Sequence, residues 1–134
     1  MYLLDTCVIS ELIKSKPSAK VTRWIGEQME TTLYLSALSI GEIEQGIARL
    51  ASGAKKERLI AWARNDLPAR FGDRVFAVDS AVAASWGSFQ GESKQSLPVV
   101  DGLIAAMARV HNLTLVTRNT KDFARFDIPL LNPW

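Results

Sequence analysis

Short apolar runs alternate along this chain with longer segments in which apolar residues recur at helical spacing. The apolar runs predict strands at residues 2–4, 32–36, 74–78 and 114–117, with an edge strand at 129–131. The segments between them predict helices at 5–14, 18–29, 39–50, 55–66, from Asp79 to a polar loop at 91–96, and 98–111, with a short turn or helix near 121–126. Strands separated by helices of crossover length indicate an α/β fold, in which helices cover both faces of a central parallel sheet of four to five strands.

Local signals support several of these boundaries. Ser18 is a candidate cap for the second helix, and Leu67-Pro68 should end the helix that starts at Lys55. Asp79 should cap the next helix, whose Val82, Trp86 and Phe89 are expected in the core because they recur on one face.

The composition fits one ordinary domain over residues 1–134. The chain has 134 residues, of which 48% are hydrophobic, enough for one sizeable core. No apolar run reaches the roughly 20 residues that span a bilayer, and no secretory signal is recognisable, so we expect a cytoplasmic protein without membrane contact. The single cysteine, Cys7, can form no internal disulfide; we interpret it as a small buried hydrophobe, with a reactive thiol as the alternative.

The net charge does not indicate a class of binding partner, because its formal value is only +2. Basic residues nevertheless gather in two regions, one at Lys14, Lys16, Lys20 and Arg23 and the other at 55–58. Solvated helix ends and a rim that contacts phosphates are equally good interpretations of these regions.

Acidic or amide residues stand at the junctions between apolar runs and helical segments. They are Asp5, Glu42, Asp101, Asn119 and Asp122. Ligands of open parallel sheets bind beyond the carboxyl ends of the strands, where side chains from distant parts of the chain meet. The pattern therefore predicts a metal site at that edge of the sheet.

Each of these residues also has a purely structural interpretation. Glu42 could complete a capping box with Ser39, and Asp5 could cap its own helix. Asp101 could interact favourably with the positive end of the helix dipole after Pro98. It lies among apolar residues, however, where burying an unpaired carboxylate costs free energy. A metal ion would give Asp101 a partner.

The ligand types favour a hard cation, Mg²⁺ or Mn²⁺, because His and Cys are absent from the set. The lone His111 is interpreted as a helix-end residue, and without it no Ser/His/Asp or Cys/His catalytic set can be assembled. No glycine-rich phosphate loop is present either. Metal-assisted hydrolysis of an anionic substrate, usually a phosphodiester, is the economical enzymatic hypothesis.

Four motifs stand out along the chain, at residues 3–11, 35–43, 101–106 and 116–123. They resemble the motifs of PIN-domain nucleases, and more closely those of the VapC and FitB toxins of bacterial type II toxin-antitoxin pairs. The resemblance extends to 131–134, so that it covers essentially the whole chain. Their order and separations are like those of the family.

The resemblance implies that Asp5, Glu42 and Asp101 are the acidic metal-site residues, with Thr6 and Thr117 as polar neighbours. Asp5 and Asp101 would hold the principal Mg²⁺, while Glu42 would be a further ligand or orient the attacking water. It further implies an Mg²⁺- or Mn²⁺-dependent ribonuclease acting on RNA as a toxin. A homodimer is implied, as is a cognate antitoxin that occludes the site and alone carries the operator DNA-binding domain.

Two positions depart from the family pattern. Cys7 stands where an asparagine is common, which removes an amide group beside the site. Asn119 stands at the fourth acidic position of the FitB-like members, so that either Asn119 serves through its carbonyl or a water, or Asp122 replaces it. The departure leaves open whether a second metal ion binds.

Two other functional classes remain as alternatives. The first is a catalytically weak PIN-fold protein that acts by binding an antitoxin and, through it, operator DNA. The second is a phosphoacceptor receiver domain, in which Asp79 would be phosphorylated with help from Thr117 and Lys121. Receiver domains carry a pair of acids after the first strand, whereas Asp5 stands alone.

Overall fold

Five short parallel strands form the centre of the computed structural model, which describes residues 1–134. The strands are β1 (Tyr2–Leu4), β2 (Leu33–Ser36), β3 (Val75–Phe76), β4 (Thr114–Val116) and β5 (Leu130–Leu131). Their order across the sheet is β3-β2-β1-β4-β5, and all four neighbouring pairs are parallel. The predicted α/β class, with its parallel sheet of four to five strands, is confirmed.

Helices connect these strands and cover the sheet. They are α1 (Thr6–Leu12), α2 (Ala19–Glu27), α3 (Ala37–Ala48), α4 (Ala54–Ala61), α5 (Leu67–Phe71), α6 (Ser80–Glu92), α7 (Val99–Val110) and α8 (Thr120–Phe123). A π-helical segment, Trp62–Asp66, joins α4 to α5, and short 3₁₀ turns lie at Glu30–Thr32 and Ala124–Phe126. No helix combines the length and the apolar character that crossing a bilayer requires.

The two faces of the sheet bury separate hydrophobic clusters, because successive residues of a strand point to opposite faces. Leu3 and Leu115 contribute to the cluster under α6 and α7, with Val82, Phe89, Ile104, Met107, Phe123 and Phe126. Leu4 and Val116 contribute to the other cluster, with Val8, Ile9, Val21, Ile25, Ile43, Ile47 and Phe71. The central strands are therefore buried on both sides, which explains why they read as unbroken apolar runs.

Two predicted helix caps are present. The Ser18 hydroxyl accepts a hydrogen bond from the Val21 N–H at 3.4 Å, and the Asp79 carboxylate accepts one from the Val82 N–H at 3.0 Å. The predicted end of a helix before Leu67 is wrong, because the chain continues through the π-helical segment into α5. Pro68 lies inside this continuous helical run, directly after the π-helical segment, and lacks the backbone N–H that the helical ladder would use there.

The short strand β3 is fastened to the start of β2 by charged side chains. Arg74 donates hydrogen bonds to the carbonyl oxygens of Leu33, at 2.8 Å, and of Glu30. The Glu30 carboxylate accepts from Arg70 Nε at 2.8 Å and from Arg74 Nη2 at 3.2 Å. These contacts hold an edge strand of only two residues in register with β2.

Candidate active site

The order in which strands are added to the sheet reverses between β1 and β4, and the candidate site lies at the carboxyl ends of these two strands. From β1 the chain proceeds to β2 and β3 on one side, whereas β4 and β5 lie on the other. Leu4 pairs with Val116 in the register of β1 and β4, so that Asp5 and Thr117 leave the sheet side by side. Open α/β sheets bind their ligands at such a point.

The Asp5 carboxylate is held at both of its oxygens. Thr117 Oγ1 donates to Asp5 Oδ2 at 2.7 Å, and the Thr6 N–H donates to Asp5 Oδ1 at 2.9 Å. The Asn119 N–H in turn donates to Thr117 Oγ1 at 3.0 Å. Asp5 therefore caps α1, as the structural interpretation predicted, and at the same time presents a fixed, buried carboxylate at the site.

Cys7 contacts the same two side chains. Its Sγ lies 3.7 Å from Asp5 Oδ2 and 3.7 Å from Thr117 Oγ1, and the side chain is half-buried. Burial, followed by the negative charge of Asp5, raises the pKa of the Cys7 thiol. The thiol is thus protonated near neutral pH, which disfavours the reactive-thiol interpretation.

Glu42 reaches the site through a hydrogen bond and not through a helix cap. The cap of α3 is Ser36, whose hydroxyl accepts from the Leu38 N–H at 3.0 Å. The predicted capping box of Ser39 and Glu42 is therefore wrong, because both residues lie inside the helix. Thr6 Oγ1 instead donates to Glu42 Oε1 at 2.8 Å and lies 2.9 Å from Ser39 Oγ, which ties the exposed Glu42 to the start of α1.

Asp101 lies in the first turn of α7 and is half-buried. Burial raises the pKa of Asp101, and the negative charges of Asp5 and Asp122 raise it further, while Arg125 opposes them. Asp101 has neither a salt bridge nor a side-chain hydrogen bond within the chain. It is thus a carboxylate near other carboxylates that has no partner of its own.

Two residues, Asn119 and Asp122, are the candidates for the fourth acidic position of the site. Asn119 takes part through its backbone N–H, while its exposed side chain makes no hydrogen bond within the chain. Asp122 is exposed, and its charge acts on Asp101. Of the two residues left open by the sequence, Asp122 is the one with an electrostatic link to the other carboxylates.

Two contributors escaped the sequence reasoning. Ser39, almost completely buried, supports Thr6, and its position one turn before Glu42 on the same helix was the available signal. Arg125 brings the one positive charge that acts on Asp101, and no motif marked it.

Two other candidates lie elsewhere. His111 ends α7, as predicted, and stacks on Phe76 with ring centroids 3.7 Å apart. Asp79 is the cap of α6 and follows β3 at the edge of the sheet, whereas Asp5 follows the central strand.

The donor chemistry of the site can be compared with the needs of a metal ion. No three acidic, histidine or cysteine side chains are grouped closely enough to hold one unaided. Mg²⁺ often takes only one or two carboxylates and completes its coordination with water and substrate phosphates, whereas structural zinc takes four side-chain ligands. Asp5 and Asp101, both oxygen donors, therefore fit Mg²⁺ or Mn²⁺ rather than zinc.

The family model of the PIN domain matches residues 2–129. The chain belongs to the PIN-domain family. It is 35% identical to toxin FitB of Neisseria gonorrhoeae over 137 residues, which cover 100% of this chain and 99% of FitB. It is 39% identical to VapC ribonuclease Y4jK of Sinorhizobium fredii over 140 residues, which cover 100% and 98% of the two chains.

Solved structures give the same result for this PIN domain. The crystal structure of FitAcB from Neisseria gonorrhoeae matches with a TM-score of 0.93 and 35% identity, covering 100% of this chain and 99% of the other. The structure of FitAB bound to the IR36 DNA fragment matches with a TM-score of 0.90 and 34% identity, covering 100% and 96%. Because the family is established, the receiver-domain alternative is wrong, and Asp79 is left with its role as a helix cap.

Proposed function

We propose that this PIN domain is an Mg²⁺- or Mn²⁺-dependent endoribonuclease and the toxin of a type II toxin-antitoxin pair. The observation that carries the proposal is the group of carboxylates around the ends of β1 and β4, in which Asp5 is fixed by two hydrogen bonds and Asp101 lacks a partner. Its support from relatives is the similarity to a VapC ribonuclease over the full chain.

In this proposal Asp5 and Asp101 hold the cation. When bound, a divalent cation polarises a phosphoryl oxygen and lowers the pKa of a bound water. Thr117 and the Thr6 N–H keep the Asp5 carboxylate in one orientation, so that little reorganisation is needed during the reaction. Glu42, held by Thr6, either adds an oxygen ligand or orients the attacking water. No side chain has to act as a nucleophile.

The test is cleavage of RNA by the purified protein with Mg²⁺ or Mn²⁺, and again with chelator. Cleavage should stop in chelator. Asp101→Asn should keep the fold but lower the rate by about 10²-fold or more, the scale of losing one preorganised electrostatic group. Asp73→Asn, which neutralises an exposed aspartate outside the site, is the matched control and should cleave normally. Full activity in chelator would refute the metal mechanism, and unfolding of Asp101→Asn would return Asp101 to a structural role.

We also propose a cognate antitoxin as the partner that blocks the site, acting with the toxin in the cytoplasm. Structures similar to this chain include FitAB bound to a DNA fragment. Operator binding is assigned to the antitoxin, because the resemblance to the family implies that the antitoxin carries the DNA-binding domain. Co-purification with the product of the adjacent reading frame, and operator binding by the complex but not by the toxin alone, would support this arrangement.

A homodimer completes the proposal. Val99 and Val100, at the start of α7, are 55% and 40% exposed, so that two adjacent apolar side chains face the solvent. Burying them against a second copy would remove apolar surface from water. Light scattering should report a dimer for the wild-type protein, and a weaker one for Val99→Lys.

The alternative is a PIN-fold protein that acts mainly by binding. A wild-type protein that captures the antitoxin but cleaves no RNA with either metal would favour that alternative.

A further inference from the structure

The two basic regions of the sequence partly meet in the folded protein. Lys14 and Lys16, which follow α1, line one cleft together with Lys55 and Arg58 of α4, above the apolar side chains of Ile13 and Leu59. We call this the basic cleft. Lys20 and Arg23 lie outside it, on the exposed surface of α2.

Most of the positive charge in the basic cleft is uncompensated. Lys14 pairs with Glu11, with 2.6 Å between Nζ and Oε2. Lys16, Lys55 and Arg58 form neither a salt bridge nor a side-chain hydrogen bond. Like charges gathered without counter-charges repel one another, so an anion that enters the cleft would relieve this repulsion.

The basic cleft is continuous with the active site. Thr6 and Glu42 of the site line the same groove as Ser10 of α1 and Lys55 of α4. Ile13, Lys55 and Leu59 line both the groove and the basic cleft. Trp62 adds an aromatic side chain to the wall of the groove.

We propose that the basic cleft binds the phosphate backbone of the RNA strand that occupies the cleavage site. This inference rests on the proposed ribonuclease function and assigns the surface along which the substrate lies beside the site. The carboxylates of the site repel phosphates, so a strand held there needs cations close by on the same path. Lys and Arg are the usual contacts to nucleic-acid backbones, and basic grooves with an aromatic wall are typical of surfaces that bind single strands.

The experiment compares two double variants that make the same chemical change. Lys55→Gln with Arg58→Gln removes a Lys and an Arg three residues apart on α4, inside the basic cleft. Lys20→Gln with Arg23→Gln removes the same pair at the same spacing on α2, outside it. Binding of a labelled pool of random single-stranded RNA is measured in chelator at several salt concentrations, and cleavage of the same pool is measured with Mn²⁺.

The Lys55/Arg58 variant should bind RNA about tenfold more weakly, with a salt-dependence slope smaller by about 1.4, because each phosphate contact on a single strand contributes about 0.7. Its KM should rise while kcat stays close to the wild-type value, because these side chains hold the strand and do not contact the phosphate that is cleaved. Lys16→Gln, in the segment after α1, should also weaken RNA binding. The Lys20/Arg23 variant should match the wild type.

Several results would overturn the assignment. Equal binding by the two double variants would show that the basic cleft does not hold RNA, even if cleavage confirmed the ribonuclease. Unchanged RNA binding by the Lys55/Arg58 variant, together with lost capture of the adjacent reading frame's product, would make the cleft a protein-docking site. Conversely, the wild type could bind RNA more tightly than the Lys55/Arg58 variant and yet cleave none. That result would support RNA binding by the basic cleft and contradict the ribonuclease function.

Discussion

Thr117 Oγ1 donates a 2.7 Å hydrogen bond to Asp5 Oδ2, which joins residues 112 positions apart. The bond is buried, and the same hydroxyl accepts from the Asn119 N–H. A single threonine therefore orients the central carboxylate and fixes the turn that begins α8.

The first prediction concerns this hydroxyl. Thr117→Val keeps the shape but leaves a buried carboxylate oxygen and an N–H without their partner, so we expect a loss of about 1–3 kcal/mol in unfolding free energy. Activity should fall by roughly 10–100-fold, the usual cost of removing a group that orients a metal ligand. Thr117→Ser retains the hydroxyl and should retain both properties. Thermal melting and RNA cleavage of the two variants test this, and normal cleavage by Thr117→Val would remove Thr117 from the site.

A second prediction separates catalysis from helix capping at Glu42. Glu42→Gln should leave the melting temperature unchanged, because the cap of α3 is Ser36, but it should abolish most of the cleavage. Ser36→Ala is the complementary variant and should lower the unfolding free energy by about 1 kcal/mol through the lost cap. Unchanged cleavage by Glu42→Gln would leave Glu42 with only its hydrogen bond to Thr6.

A third prediction addresses the number of metal ions. Two divalent ions roughly 3.5–4 Å apart repel each other and need surrounding negative charge, so the wild-type site should bind one Mn²⁺ well and a second weakly. Asp122→Asn should weaken Mn²⁺ binding, because the Asp122 charge reaches Asp101. Asn119→Asp should strengthen it by adding a carboxylate. Calorimetric titration of Mn²⁺ into the wild type and both variants tests this. Two tight sites in the wild type, or no response to either substitution, would show that neither residue completes the metal site in this way.

The fourth prediction concerns acid stability at Glu30, away from the site. Hydrogen bonds from Arg70, and next from Arg74, lower the pKa of Glu30 below its ordinary value of 4.5. A depressed carboxyl pKa stabilises the fold above the ordinary value, and this contribution is lost as the pH falls from about 4.5 through the lower pKa of the folded state. Glu30→Gln should therefore show a weaker loss of stability than the wild type as pH falls through that window. Chemical unfolding at several pH values measures this, with Glu27→Gln on the exposed end of α2 as the control.

The sequence alone determined the layered fold, because apolar runs such as 113–117 report strands buried on both faces and the intervening segments have helical periodicity. It also placed Asp5 and Asn119 at one edge of the sheet, because residues just after the strands of a parallel sheet emerge at the same edge. Its errors, at the Ser39–Glu42 capping box and at the end of the helix before Pro68, came from local motifs that tertiary contacts overrode.

Only the tertiary structure decided which partner each polar group takes. Thr6 draws Glu42 away from a cap, Arg125 opposes the charges around Asp101, and Lys14, Lys16, Lys55 and Arg58 gather in one cleft. These relationships join elements that are distant in sequence. Hydrophobic periodicity determines which face of a helix is buried. The hydrogen bonds and charge interactions between polar side chains depend instead on how the helices pack around the sheet, which no local pattern encodes.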